Sequence, residues 1–109
     1  MTLISFIIPT LNCANSLSKC LQSIKKQTLT DYKILVIDGG STDNTLEVAH
    51  DYNCQILSNP LKTAEAGKAI GIKKVTSKFT VLIDSDNILP TSKWLSKMLL
   101  PFKDETIIG

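Results

Sequence analysis

No stretch of these 109 residues approaches the roughly 20 consecutive apolar positions a membrane helix needs. The start, Met1-Thr2-Leu3-Ile4-Ser5-Phe6-Ile7-Ile8-Pro9, has no basic segment ahead of its apolar run, so no secretory signal is expected. Cysteine is scarce: Cys13, Cys20 and Cys54 are odd in number and lack metal-ligand spacing. That excludes a disulfide framework and predicts reduced thiols in a cytoplasmic protein, the inner face of the membrane included. Charge of one sign is also lacking. A net +2 is too small to draw in a nucleic acid, and none is expected as a partner. The single histidine, His50, sits near the end of a short expected helix and takes no role.

What is present is ordinary for one globular domain, assigned to residues 1–109, with 43% apolar and 20% charged residues. The pattern alternates. Leu3–Ile8 predicts a strand buried on both faces. Asn12 or Asn15 is expected to cap a helix whose Leu17, Cys20, Leu21 and Ile24 form one apolar stripe. Tyr32–Ile37 predicts a second strand, ending at Asp38. A turn, Gly39-Gly40-Ser41-Thr42-Asp43, is expected to cap a short helix holding Leu46 and Ala49. Cys54–Leu57 predicts a third, edge-lying strand, and Ala64–Val75 a helix weakened by Gly67 and Gly71. Phe79–Ile83 predicts a fourth strand. Pro90-Thr91-Ser92 is expected to open a helix with Trp94, Leu95, Met98 and Leu99 on one stripe, stopped by Pro101. Thr106–Gly109 reads as the beginning of a fifth strand.

Strands alternating with helices predict an α/β fold in three layers: a mostly parallel sheet, helices on both faces, right-handed crossovers. Ligands of such sheets bind beyond the carboxyl ends of the strands. Three polar segments fall there: Pro9-Thr10-Leu11-Asn12, Asp38-Gly39-Gly40 and Asp84-Ser85-Asp86. If the last is extended, Asp84 and Asp86 point to one side, where two like charges need a proton or cation between them. Two carboxylates suit Mg²⁺ or Mn²⁺.

Together these segments resemble a known family. Ile7-Ile8-Pro9-Thr10-Leu11-Asn12 resembles the "P-x-Y-N" opening of glycosyltransferase family 2, enzymes of the GT-A fold. Gln27-Thr28-Leu29 and Val36-Ile37-Asp38-Gly39-Gly40-Ser41-Thr42-Asp43-Asn44-Thr45 are similar to its "Q-T … V-D-D-G-S-x-D-x-T". Ile83-Asp84-Ser85-Asp86-Asn87 is similar to its "D-x-D-D" metal segment. The resemblance implies a nucleotide-sugar donor, UDP-linked, and transfer with inversion to a glycan, lipid or protein acceptor. It implies that Pro9, Thr10, Leu11, Asn12, Asp38 and Gly39 surround the nucleotide, with Thr10 and Asp38 on the base. Asp84, Ser85 and Lys68 would lie by the ribose and phosphates, and Asp86, assisted by Asp84, would hold Mn²⁺ or Mg²⁺.

Leu11 stands where the family stacks an aromatic ring, Cys13 where it has an acid, and Gly67-Lys68-Ala69 where it has "A-R-N". The family's catalytic base and acceptor half follow the metal segment, so the chain reads as a donor-binding half, truncated before the acceptor half. Two other readings fit parts of the pattern. A phosphohydrolase of the haloacid dehalogenase type also carries D-x-D, on its first strand. An interaction module would pair, as a homodimer for instance, through the open edge at Thr106–Ile108.

Overall fold

A computed structural model describes residues 2–99 and the backbone of 106–108. The order is β1 (Ile4–Thr10), α1 (Ala14–Lys25), β2 (Tyr32–Asp38), α2 (Thr45–Asp51), β3 (Gln55–Ser58), α3 (Ala64–Lys74), β4 (Phe79–Leu82), α4 (Trp94–Leu99) and β5 (Thr106–Ile108). The strands form one sheet in the order β3-β2-β1-β4-β5, every neighbouring pair parallel. The expected α/β architecture is present. Pro101 and Gly109 lie outside the described residues.

Alternation along the strands separates two cores. Ile4, Phe6 and Ile8 of β1, Ile34 and Val36 of β2, and Val81 of β4 pack with Leu17, Cys20, Leu21 and Ile24 of α1 and Leu95 of α4. The opposite face is thinner: Ile7, Leu35 and Ile37 meet Leu57, Ile70 and Leu82. Here α3 replaces side-chain packing by backbone approach. A Cβ on Gly71 would lie 2.5 Å from Ile7 Cγ2, and one on Gly67 would lie 2.9 Å from Pro9 Cβ. The two glycines that lower helix propensity are therefore what lets α3 sit on β1.

The starts of α1 and α4 differ from those expected. Neither Asn12 nor Asn15 caps α1; Cys13 holds the N-cap position without a side-chain bond. The capping oxygen comes from another turn, because the Ala14 N–H donates to Asp43 Oδ2 at 3.3 Å. α4 begins at Trp94, later than Pro90 would place it. The intervening carbonyls of Thr91 and Ser92 accept from the Gln27 side chain (2.7 Å) and the Thr28 N–H (2.8 Å), which holds that segment along α1.

β1 runs through Pro9, a residue with no N–H, although it is the central strand. The Ile7 carbonyl accepts from Ile83 of the β4 segment, and the Thr10 carbonyl accepts from Gly39 beyond β2. Alternation then turns the Pro9 nitrogen towards β4, whose pairing with β1 stops at Ile7↔Leu82. Pro9 thus marks where β1 and β4 part. That parting is the switch point of the sheet: the chain winds outward through β2 and β3, then returns to β1's other side as β4.

Candidate functional site at the strand tips

β1 and β2 end together, with Thr10 opposite Asp38. The Asp38 carboxylate, 5% exposed, accepts four hydrogen bonds. Oδ1 takes the hydroxyls of Thr10 (2.7 Å) and Ser41 (2.6 Å), and Oδ2 takes the N–H groups of Gly40 (3.0 Å) and Ser41 (2.7 Å). Burial by itself would raise its pKa. The Ser41 hydroxyl and N–H, the Thr10 hydroxyl and the Gly40 N–H outweigh that and hold it below the ordinary carboxylate value. A carboxylate has about four lone-pair positions, and here all are filled. These bonds tie the tips of β1 and β2 together. The resemblance's motif has a second aspartate, and this chain has Gly39 there, buried against Lys62.

The loop after Asp38 is clamped by the segment that follows β1 and by its own side chains. Asn12, at φ 49°, accepts at Oδ1 from the Thr42 N–H (2.8 Å) and the Asp43 N–H (3.3 Å). Its own N–H donates to Ser41 Oγ at 2.9 Å, and the Cys13 N–H to Thr45 Oγ1 at 2.9 Å. Asp43 Oδ1 accepts the Thr45 N–H at 2.9 Å, but the N-cap position of α2 is Asn44, without a side-chain bond, rather than Ser41, Thr42 or Asp43 as expected. Hydroxyl and carboxamide residues clustered in Ser41-Thr42-Asp43-Asn44-Thr45 were the available signal.

The third tip is a turn rather than an extension of β4. The Asn87 N–H donates to the Asp84 carbonyl (3.0 Å), and the Asp84 N–H donates to Asn87 Oδ1 (2.8 Å). Asp84 and Asp86 therefore hold the first and third positions of a four-residue turn, not of an extended strand as expected. The Asp84 carboxylate lies 3.3 Å from Lys68 Nζ of α3. Asp38 instead sits with Thr10, on the side of α1 and α2 set by the alternation of β2. The three acidic tips share the carboxyl edge of the sheet.

The donor set fits a hard divalent cation. The side chain of Asp86 is exposed and has no hydrogen-bond or ion-pair partner among the described residues, and Asp84 has Lys68 alone. No group of three His, Cys, Asp or Glu residues is gathered there, among the described residues. Two carboxylates would thus fill part of an octahedral shell, leaving positions for phosphate oxygens and water. The thiols offer no competing site: burial pushes Cys20 up to about 12, helped by Cys54, Asp86 and Cys13, and burial pushes Cys54 up to about 12. Both are protonated at neutral pH.

Beside the β1 tip, a cavity of about 120 Å³ is lined by Pro9, Thr10, Leu11, Asn59, Lys62 and Thr63. Asn59 is 2% exposed; its Nδ2 donates to the Thr63 carbonyl at 2.9 Å, and its Oδ1 has no partner. Leu11, one of the lining residues, is 42% exposed. Pro9, Thr10, Leu11, Asn12, Asp38, Gly39, Lys68, Asp84, Ser85 and Asp86 therefore all lie along the carboxyl edge of β2, β1 and β4 or the start of α3.

The family model described as glycosyl transferase family 2 matches residues 5–109. The chain belongs to glycosyl transferase family 2. It is 28% identical over 107 residues to the uncharacterized glycosyltransferase YibD of Escherichia coli K12, covering 94% of this chain and 31% of that one. TarS of S. aureus superposes with a TM-score of 0.78 at 23% identity, over 88% of this chain and 18% of TarS. Glucosyl-3-phosphoglycerate synthase of Mycobacterium tuberculosis superposes with a TM-score of 0.72 at 23% identity, over 92% of this chain and 39% of that enzyme. The sheet and its helices are those of a GT-A glycosyltransferase, and the chain spans under a third of YibD. In this chain the D-x-D follows β4 rather than β1, which together with the family match removes the phosphohydrolase reading.

Proposed function

We propose that this chain binds a uridine-diphosphate sugar with a divalent cation, as the donor part of an inverting glycosyl transfer to a glycan, lipid or protein. The observation that carries this is the parting of β1 and β4 at Pro9, with an acidic turn on one side and the Thr10–Asp38 clamp on the other. TarS of S. aureus has been crystallised with UDP-GlcNAc, and glucosyl-3-phosphoglycerate synthase with UDP and Mn²⁺, which supports the same ligand class here.

In this reading Asp86, with Asp84, holds Mn²⁺ or Mg²⁺. A cation held there would supply positive charge to the diphosphate. Lys68 exchanges part of its pairing with Asp84 for a phosphate oxygen, as a point charge. The cavity of Pro9, Thr10, Leu11 and Asn59 receives the base, with Leu11 offering an aliphatic surface where other members stack a ring. Asn12, Gly39 and Ser85 form the rim through their backbone. Thr10 and Asp38 border the base, and Asp38 also orients the Gly40–Ser41 turn. The protonated, unpaired thiols accord with action in the cytoplasm, at the inner face of the membrane. Among the described residues no helix is long and apolar enough to cross one.

Titration calorimetry with UDP, with and without Mn²⁺, tests the reading. Binding is expected in the presence of Mn²⁺ and lost in Asp86→Ala. Equal binding by Asp86→Ala, or no binding at all by the unaltered chain, would reject it.

A further inference from the structure

A second cavity, of about 360 Å³, lies between α1 and the segment that leaves the Asp84–Asn87 turn. It is larger than either cavity at the strand tips, of about 120 and 260 Å³. None of the donor-site residues named above lines it. Its walls are held by specific bonds: the Leu89 N–H to Ser23 Oγ (3.0 Å), the Gln27 side chain to the Thr91 carbonyl (2.7 Å), and the Thr28 N–H to the Ser92 carbonyl (2.8 Å). The polar lining is one-sided in charge. Lys19, Gln22 and Lys26 come from one face of α1, spaced three and four apart, and face Thr91 and Ser92. No acidic residue lines the space, and among the described residues neither lysine is in an ion pair. At the rim Ile88 is 57% exposed.

Two ammonium groups on one concave surface repel each other until an anion sits between them. A phosphate group matches the donors better than a carboxylate, since its three free oxygens can take both ammoniums, the Gln22 amide and the two hydroxyls. The exposed Ile88 gives an apolar substituent a surface to lie on. We propose that this cavity binds a phosphate monoester carried on an apolar group, at a site separate from the nucleotide.

Titration calorimetry with inorganic phosphate, hexyl phosphate and hexanol tests this. Hexyl phosphate is expected to bind more tightly than inorganic phosphate, and hexanol not at all. The double variant Lys19→Ala/Lys26→Ala should weaken hexyl phosphate by roughly tenfold or more. Ile88→Ser should remove the advantage of hexyl phosphate over inorganic phosphate. All three side chains are exposed, so the variants keep their fold, which a thermal melt checks. Absence of hexyl phosphate binding, unchanged affinity in the double variant, or displacement of hexyl phosphate by UDP with Mn²⁺ would overturn the proposal. The donor reading fails separately: a chain that binds hexyl phosphate but no UDP keeps this site and loses that one.

Discussion

At the scale of the residue, Asp38 shows how a side chain's place can be legible in sequence while its partners are not. Its position at the end of an apolar run puts it at the sheet edge, and the structure agrees. Its four intramolecular bonds could not be foreseen, because the donors Thr10 and Ser41 come from different elements. Asp38→Asn should turn an amide N–H towards donors that have no use for it. A loss of about 1–3 kcal/mol in urea unfolding at neutral pH is expected. The sign with pH follows from the depressed pKa. The stabilisation is complete above about pH 4, the unfolded value, and disappears as pH falls through the lower folded one. Unfolding curves of the two proteins should therefore converge as pH drops below about 4. Lys68 is a contrasting case. Its pair with Asp84 is solvent-exposed, with side chains 31% and 57% accessible. Lys68→Ala should change stability by less than about 0.5 kcal/mol, yet weaken UDP–Mn²⁺ binding roughly fivefold by calorimetry.

At the scale of the element, α3 is decided by what it rests on. Its sequence, AEAGKAIGIKK, contains two glycines that argue against a helix, and its apolar residues make no stripe. Packing on β1 overrides propensity, since the glycines are the contact surface. Gly71→Ala would raise intrinsic helix propensity by about 1 kcal/mol but press a methyl group into Ile7. Net destabilisation of about 1–3 kcal/mol is expected by thermal or urea unfolding. A gain in stability would mean α3 stands further from the sheet. α1 is the opposite case: its stripe of Leu17, Cys20, Leu21 and Ile24 is fully buried as the periodicity predicts. Its capping was illegible, because the Asp43 carboxylate lies 29 positions away.

At the scale of the whole molecule, the sheet order β3-β2-β1-β4-β5 makes β1 the spine, buried along all seven residues and paired on both sides. β3 lies at the edge, with three of its four residues exposed. Amide hydrogen exchange should be slowest in Ile4–Ile8 and markedly faster in Gln55–Ser58, where opening one edge strand suffices. Uniform protection across the sheet would contradict this arrangement. The same order creates the candidate site, since a gap between β1 and β4 exists only where winding reverses.

Local pattern alone determined the alternation of strands and helices, the polar character of the three tips, and hence the edge of the sheet on which they fall. Those properties depend on near neighbours: apolar runs of strand length, a 3.6-residue stripe, and turn residues between them. Tertiary structure decided which acid is free and which is engaged, that the D-x-D is a turn, and that Gly67 and Gly71 are contacts rather than defects. Each of these depends on atoms brought from distant positions to within hydrogen-bond or van der Waals range. Such distances are set by the packing of the whole sheet and are not encoded in any single stretch of chain.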